Sequence, residues 1–167
     1  MFKPWPHKAL STPAAAVAEI DEAALAVWTR LLEAMYGARA LVGLAAPQIG
    51  LSQRLAVVDC SASRREPVRL ANPELIWAST ETARHAEGSP NLPGLSAEIE
   101  RPARVRVRFL NETGAQVECD FDGLWAASVQ HQIDHLEGRM FFERLSRLKR
   151  QRLLARHAKQ ARKRTAG

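Results

Sequence analysis

The stretch Val129–Gly138, VQHQIDHLEG, places two histidines, His131 and His135, four residues apart. On an α-helix this spacing puts both side chains on one face, with Cβ atoms about 5–6 Å apart. Both imidazoles could then reach one metal ion, which is the geometry of the H-E-x-x-H motif. The second position is Gln132, so the carboxylate that serves as general base in that motif is missing. Taken alone, such a histidine pair is more often incidental than metal-binding.

The positive charge of the chain is concentrated at its C-terminal end. The net charge is +6, and the segment from Arg144 onwards has ten Lys or Arg and no Asp or Glu. Residues 1–143 hold the other 14 basic and all 18 acidic residues, and so carry about −4. We therefore predict one globular domain over residues 1–143 and a basic tail over residues 144–167. Such a tail commonly binds RNA, a ribosome or an anionic surface. A solvated helix that keeps the protein soluble explains the charge about equally well.

Cysteine use and hydropathy indicate neither export nor a membrane span. Cys60 and Cys119 lie in predicted strands and do not form the framework of a disulfide-rich secreted domain. The first ten residues, MFKPWPHKAL, lack an apolar signal core, and no run approaches the roughly 18 apolar residues of a membrane span. We expect a cytoplasmic protein.

The N-terminal part of the chain predicts an extended arm followed by an amphipathic helix. Residues 1–20 contain three prolines, which favour irregular structure. Asp21 can cap the helix, since a short acidic side chain accepts from the free N–H groups of the first turn. The helix is predicted to end near Gly37. Its apolar stripe, more typical of a core face than of a cofactor site, consists of Leu25, Trp28, Leu32 and Met35.

The remaining pattern predicts short, mostly antiparallel strands and two further helices. Asn72-Pro73 is predicted as a turn, and residues 87–102 as an ordered loop with short strands. A helix over Leu124–Leu136 carries the histidines, and Gly138 would end it. The basic stretch Arg144–Arg164 is expected to form a loosely docked helix. The predicted strands cover residues 54–60, 68–71, 75–82, 104–110 and 116–121, and the apolar face of the basic helix comprises Leu145, Leu148, Leu154 and Ala158.

The segment Leu41–Gly50, LVGLAAPQIG, is a second candidate for a functional role. Its small residues, Gly43 among them, let the backbone approach a neighbour closely. Pro47 fixes a turn before Gln48, whose amide could donate to a substrate carbonyl if it is buried. On its own the segment is more often a tight packing corner.

Three stretches together resemble the three motifs of the peptide deformylase family, G-x-G-x-A-A-x-Q, E-G-C-x-S and H-E-x-x-H. The counterparts are LVGLAAPQ at 41–48, EGSPN at 87–91 and HQIDH at 131–135, in the same order and at compatible spacing. NPEL at 72–75 and FFERLSRLKRQR at 141–152 extend the resemblance to roughly residues 30–152. It implies an α+β fold in which antiparallel β-sheets surround a central helix bearing the HxxxH pair, with an N-terminal helix and a basic C-terminal helix.

The resemblance also implies a chemistry. In the family a divalent metal, usually Fe²⁺, is held by the motif cysteine and two histidines, and it activates water to attack the formyl carbon. The glutamate moves the proton, while the glutamine amide and the backbone N–H after the cysteine bind the oxyanion. The products are formate and a nascent chain with a free N-terminal methionine. The corresponding positions here are His131, His135 and Ser89 for the metal, Gln132 for the base, Gln48 for the oxyanion, and Gly43, Leu44, Gly88 and Pro90 for substrate contact.

Three of these positions depart from the family pattern. Ser89 replaces the cysteine, and a serine hydroxyl binds Fe²⁺ or Zn²⁺ more weakly than a thiolate does. Pro90 has no backbone N–H to donate, and loss of one such donor costs roughly 10²–10³ in rate. Gln132 cannot move a proton usefully near pH 7. Glu87 is the nearest carboxylate that could help a metal, although the family does not use that position as a ligand.

We therefore expect deformylase activity to be absent or very weak, with Fe, Zn or Ni bound only if the site is still occupied. One alternative is residual or altered hydrolysis of formyl or acyl peptides by a differently built metal site. Another is a non-catalytic homologue that binds peptides through the cleft, or a ribosome through Arg144–Arg164, since the resemblance implies that the family's basic C-terminal helix docks there. A third alternative is a scaffold for an unrelated partner.

Overall fold

The computed structural model describes the backbone of residues 1–165 and the side chains of residues 1–162. The α-helices are α1 (Glu22–Gly37), α2 (Gly123–Leu136) and α3 (Arg147–Thr165). The strands are β1 (Gly43–Ala45), β2 (Leu55–Val58), β3 (Val68–Ala78), β4 (Thr82–Gly88), β5 (Ser96–Pro102), β6 (Arg104–Leu110) and β7 (Gln116–Asp122). Five strands form an antiparallel sheet in the order β1-β2-β3-β6-β7, and β4 and β5 form a second antiparallel pair. The predicted α+β class is confirmed.

Helix α1 begins where predicted, because the Asp21 carboxylate accepts a hydrogen bond from the backbone N–H of Ala24 at 2.8 Å. Its buried face is rotated from the predicted one, since Leu25 is 42% exposed while Trp28 and Met35 are buried. Apolar residues cover most of this helix, so their spacing alone did not decide which side packs inward. The buried residues are Ala24, Val27, Trp28, Leu31 and Met35.

The predicted turn at Asn72-Pro73 is wrong, because β3 continues through it. Asn72 adopts φ +48°, and the pairing of β3 with β6 shifts register between Ala71 and Glu74, so a bulge absorbs the proline. The Asn72 side chain also exchanges two hydrogen bonds with the backbone of Val17, at 2.9 and 2.8 Å. This residue therefore fixes the N-terminal arm against the sheet rather than reversing the chain.

The loop predicted over residues 87–102 is also shorter than expected. β4 and β5 pair along their whole length, from Thr82 with Pro102 to Gly88 with Ser96. Only residues 89–95 connect them. The glycine, proline and serine residues that suggested a loop are concentrated in that connection, which carries the second motif.

Helix α2 lies against the five-stranded sheet, where Val129, Ile133 and Leu136 join the hydrophobic core. It ends before Gly138, which has φ +72°. A Cβ at this position would lie 2.8–2.9 Å from backbone atoms of Ser11 and Thr12, so glycine is required both by conformation and by the passing N-terminal arm.

The predicted basic helix is present as α3, although Arg144 belongs to a preceding 3-10 turn, Phe141–Arg144. Leu153 is its buried anchor, at 1% exposure, whereas Leu148, predicted for the apolar face, is 56% exposed. Ala158 is exposed as well. The division into a domain and a tail at residue 144 remains a prediction. Within the described residues, no helix is both long and apolar enough to cross a membrane.

A cluster of buried charges joins these elements around Arg101 of β5, which is 2% exposed. Its guanidinium donates to the Glu87 carboxylate of β4 at 2.5 and 2.8 Å, and to Asp134 of α2 at 2.9 Å. Arg144 donates twice more to Asp134, both times at 2.7 Å. Removing one partner of such a group strongly destabilises a protein, because it leaves an uncompensated buried charge.

The cluster predicts a loss of stability in acid. Burial alone would raise the pKa of Glu87, but hydrogen bonds from Arg101 and His131 lower it to about 2 from its ordinary 4.5. The stabilisation is therefore complete above about pH 4.5 and is lost as the pH falls toward 2, amounting to about 3 kcal/mol. Urea unfolding at pH 7, 4.5 and 3 measures this slope. The Glu87→Gln variant should show a shallower slope between pH 4.5 and 3, and an unchanged slope would contradict the assignment.

Candidate active site

The three motif segments meet at a cleft of about 140 Å³ between β1, the end of β4 and helix α2. Six of the predicted site residues line it: Gly43, Gln48, Gly88, Pro90, His131 and Gln132. Ser89 and His135 lie directly behind this lining, hydrogen-bonded to Gln48 and His131 respectively. Leu44 points instead into the core beneath α1, where it is fully buried.

The two histidines face one another as their spacing predicted. Their Nε2 atoms are 3.1 Å apart, and His131 Nδ1 lies 2.8 Å from Glu87 Oε2. Because the Glu87 carboxylate is ionised and can only accept, His131 donates its Nδ1–H to it. Burial lowers the pKa of His135 well below its ordinary value, and the nearby charges of His131 and Arg101 lower it further, so His135 is neutral.

The hydrogen bond between the rings joins their two Nε2 atoms. The Nδ1 atom of His135 is buried and has no hydrogen-bond partner among the described residues. Metal-bound histidines usually donate their second ring N–H to a partner that orients them. His131 has such a partner in Glu87, whereas His135 has none among the described residues.

The side chains present fit a divalent metal only in part. Two ligand atoms bound about 2.1 Å from a tetrahedral ion lie about 3.4 Å apart, close to the separation of the two Nε2 atoms. The described residues offer no third strong ligand, because Ser89 is a neutral hydroxyl and Glu87 is engaged by Arg101 and His131. Among residues 1–162, no three His, Cys, Asp or Glu side chains are grouped closely enough to hold a metal ion. The three-ligand set expected from the resemblance is therefore not met.

A closed hydrogen-bond network occupies the place of the missing thiolate. Ser89 Oγ donates to Asn91 Oδ1 at 2.8 Å. The amide of Gln48 donates to the same Asn91 oxygen at 2.9 Å and to Ser89 Oγ at 3.3 Å, while its own oxygen accepts from the Ala45 N–H at 2.9 Å. Both amide hydrogens of Gln48 are thus directed within the protein. With Pro90 lacking an N–H, neither of the two expected oxyanion donors is free.

Gln132 lies against Gly43 at the floor of the cleft. A Cβ added to Gly43 would come within 2.6 Å of Gln132 Nε2 and 2.7 Å of Ser128 Oγ, so only glycine permits this approach. Gln132 is 3% exposed, and its Oε1 atom has no hydrogen-bond partner among the described residues. An amide carries both a donor and an acceptor, and it is neutral at all relevant pH values.

The sequence did not single out Asn91, which organises the second motif. Its Nδ2 donates to the backbone oxygens of Lys3 and Gln48 at 2.6 and 2.9 Å, so it ties the N-terminal arm to the first motif. The supporting roles of Arg101 and Asp134 were missed as well. One available signal was the position of Asp134 between the two histidines, because a carboxylate on a buried helix face requires a cationic partner.

Known proteins of similar sequence include peptide deformylases and a peptide deformylase-like protein. The sequence model of the family described as polypeptide deformylase matches residues 2–151. A peptide deformylase of Phenylobacterium zucineum is 44% identical over 161 residues, covering 93% of this chain and 95% of that protein. A Rhizobium meliloti protein named peptide deformylase-like is 39% identical over 155 residues, covering 93% of this chain and 89% of that protein.

The fold comparison extends over the whole chain. A crystal structure of a peptide deformylase from Legionella pneumophila superposes with a TM-score of 0.90 at 33% identity, covering 100% of this chain and 98% of that one. Sequence and fold thus match together, across the helix that carries the histidines and the segments that carry the other two motifs. The chain belongs to the peptide deformylase family of metal-dependent hydrolases.

Proposed function

We propose that this chain is a peptide deformylase homologue with absent or very weak deformylase activity, which keeps its cleft for binding peptides. The observation that carries the proposal is the network of Gln48, Ser89 and Asn91. It uses the amide that would bind an oxyanion, and it holds a neutral hydroxyl where the family has a thiolate ligand. Gln132 supplies no base, so metal binding, oxyanion binding and proton transfer are all affected.

The cleft itself supports retained binding of peptides. Its walls include apolar side chains, among them Leu41, Val42 and Leu124, and its floor carries Gln132, whose amide oxygen has no hydrogen-bond partner among the described residues. A mostly apolar cleft with a few convergent polar groups is typical of ligand sites. The formamide group of a formylated N-terminus also presents one N–H and one carbonyl oxygen, and could pair with the Gln132 amide.

Formate release from the peptide formyl-Met-Ala-Ser tests the proposal. Tag-free protein, loaded anaerobically with Fe²⁺ or Ni²⁺, should turn over at least about 10³-fold more slowly than the triple variant Ser89→Cys, Pro90→Leu, Gln132→Glu. The same peptide, titrated into the natural protein and followed by calorimetry, should bind without release of formate.

The outcomes separate the two parts of the proposal. Turnover by the natural protein at a rate near that of the triple variant would refute inactivity, and would favour the alternative of a differently built metal site. If the natural protein releases no formate and also fails to bind the peptide, the result would refute only the retained binding. The triple variant serves as the control for an intact fold and cleft.

A second proposal concerns the basic helix, for which we infer binding of ribosomal RNA. From Arg147 to the end of the described side chains, α3 carries no acidic residue. Its exposed cations include Arg147 and Lys159, and neither forms an ion pair with another described residue. Phosphate groups would satisfy such unpaired charges by releasing the counterions bound to the RNA.

Salt dependence tests RNA binding by α3. The logarithm of affinity for a ribosomal RNA fragment should fall linearly with the logarithm of salt concentration, by about 0.9 for each duplex phosphate contacted. The double variant Arg147→Glu, Lys159→Glu should bind more weakly and with a shallower slope. Affinity that does not change with salt, or that is undetectable at low salt, would contradict the proposal.

A further inference from the structure

A second groove, of about 590 Å³, lies between β5 and helix α3. One wall is the start of β5, residues 96–98, and the other is α3. Leu145 and Ala155 contribute apolar surface, and Lys149, Arg152 and Arg156 line the helix side. We call this feature the α3 groove. Its volume lies in the range of small-molecule and peptide sites, and none of its residues belongs to the cleft described above.

The strand wall of the α3 groove has an unpaired edge. β5 pairs with β4 on one side only, and the two strands form a separate two-stranded sheet. From Ser96 to Arg101, no backbone N–H or carbonyl bonds to a described residue outside β4. A row of unpaired backbone groups on an edge strand is a template for a further strand.

The helix wall of the groove carries uncompensated positive charge. Lys149, Arg152 and Arg156 are exposed, and none forms an ion pair with another residue of the described chain. Among the described residues that line the groove, Glu98 is the one with an acidic side chain, and its charge also acts on Arg84 of the neighbouring strand. The groove therefore has an excess of two positive charges beside an unpaired strand edge.

We propose that the α3 groove binds an acidic polypeptide segment in extended conformation, added to the edge of β5 as a third strand. Main-chain hydrogen bonds to β5 would supply affinity, as in other cases of strand addition. Because side chains of a strand alternate between two faces, alternate residues could pack on Leu145 and Ala155 while their acidic neighbours pair with Lys149, Arg152 and Arg156. A nucleic acid could pair with the cations but would not form main-chain hydrogen bonds with the strand edge or pack on the apolar side chains of the groove.

The probe is a fluorescein-labelled eight-residue peptide of alternating Glu and Val, titrated with the full chain and followed by fluorescence anisotropy. The double variant Lys149→Glu, Arg152→Glu should weaken binding by about tenfold or more. The matched control is Arg147→Glu, Lys159→Glu, which changes the charge equally on exposed α3 residues outside the groove and should alter the affinity less than about twofold. Thermal unfolding of both variants checks that each is folded.

A second probe tests the strand edge. The same peptide with N-methyl groups on alternate residues keeps its charge but loses backbone donors, and it should bind at least about tenfold more weakly. Equal weakening by the two double variants, or equal affinity for the methylated peptide, would overturn the proposal. The proposal would also be overturned if a ribosomal RNA fragment bound with an affinity that depends on Lys149 and Arg152 while the peptide failed to bind. That result would assign the groove to nucleic acid.

Discussion

The buried guanidinium of Arg101 is the interaction on which the site depends. It holds Glu87 at the end of β4 and Asp134 on α2, and Glu87 in turn orients His131. A buried charge cluster of this kind adds little net stability over a well-packed apolar core, but it is very sensitive to loss of any one member. It therefore fixes the second motif against the helix that carries the histidines.

Ser89, Asn91 and Gln48 form a hydrogen-bond network in which Gln48 matches the family motif and Ser89 departs from it. Asn91 also holds the N-terminal arm at Lys3. Buried polar groups are costly unless they are paired, and a fully satisfied network rigidifies the loop that carries it. We infer that the second motif here supports structure, whereas in the family it supplies a metal ligand and an oxyanion donor. The paired histidines remain in place because their helix and Glu87 still hold them.

The sequence predicted the features that depend on local pattern. Asp21 marked the start of α1, the motif order indicated the family, and the spacing of His131 and His135 placed their rings in contact. It did not predict the bulge at Asn72, because Asn-Pro favours a turn locally while pairing with β6 keeps the strand extended. The roles of Asn91 and Arg101 depend on partners 43 and 14 residues away, which no local pattern reveals.

Cobalt binding tests the central claim that the site has two strong metal donors and not three. Natural protein and the Ser89→Cys variant would be titrated with Co²⁺ and followed by near-ultraviolet and visible absorption. We expect the variant to develop thiolate-to-metal absorption and to bind more than about a hundredfold tighter, since even outer partners of metal ligands contribute about 10–100-fold. Equally tight Co²⁺ binding by the natural protein would contradict the claim, and would show that another side chain completes the site.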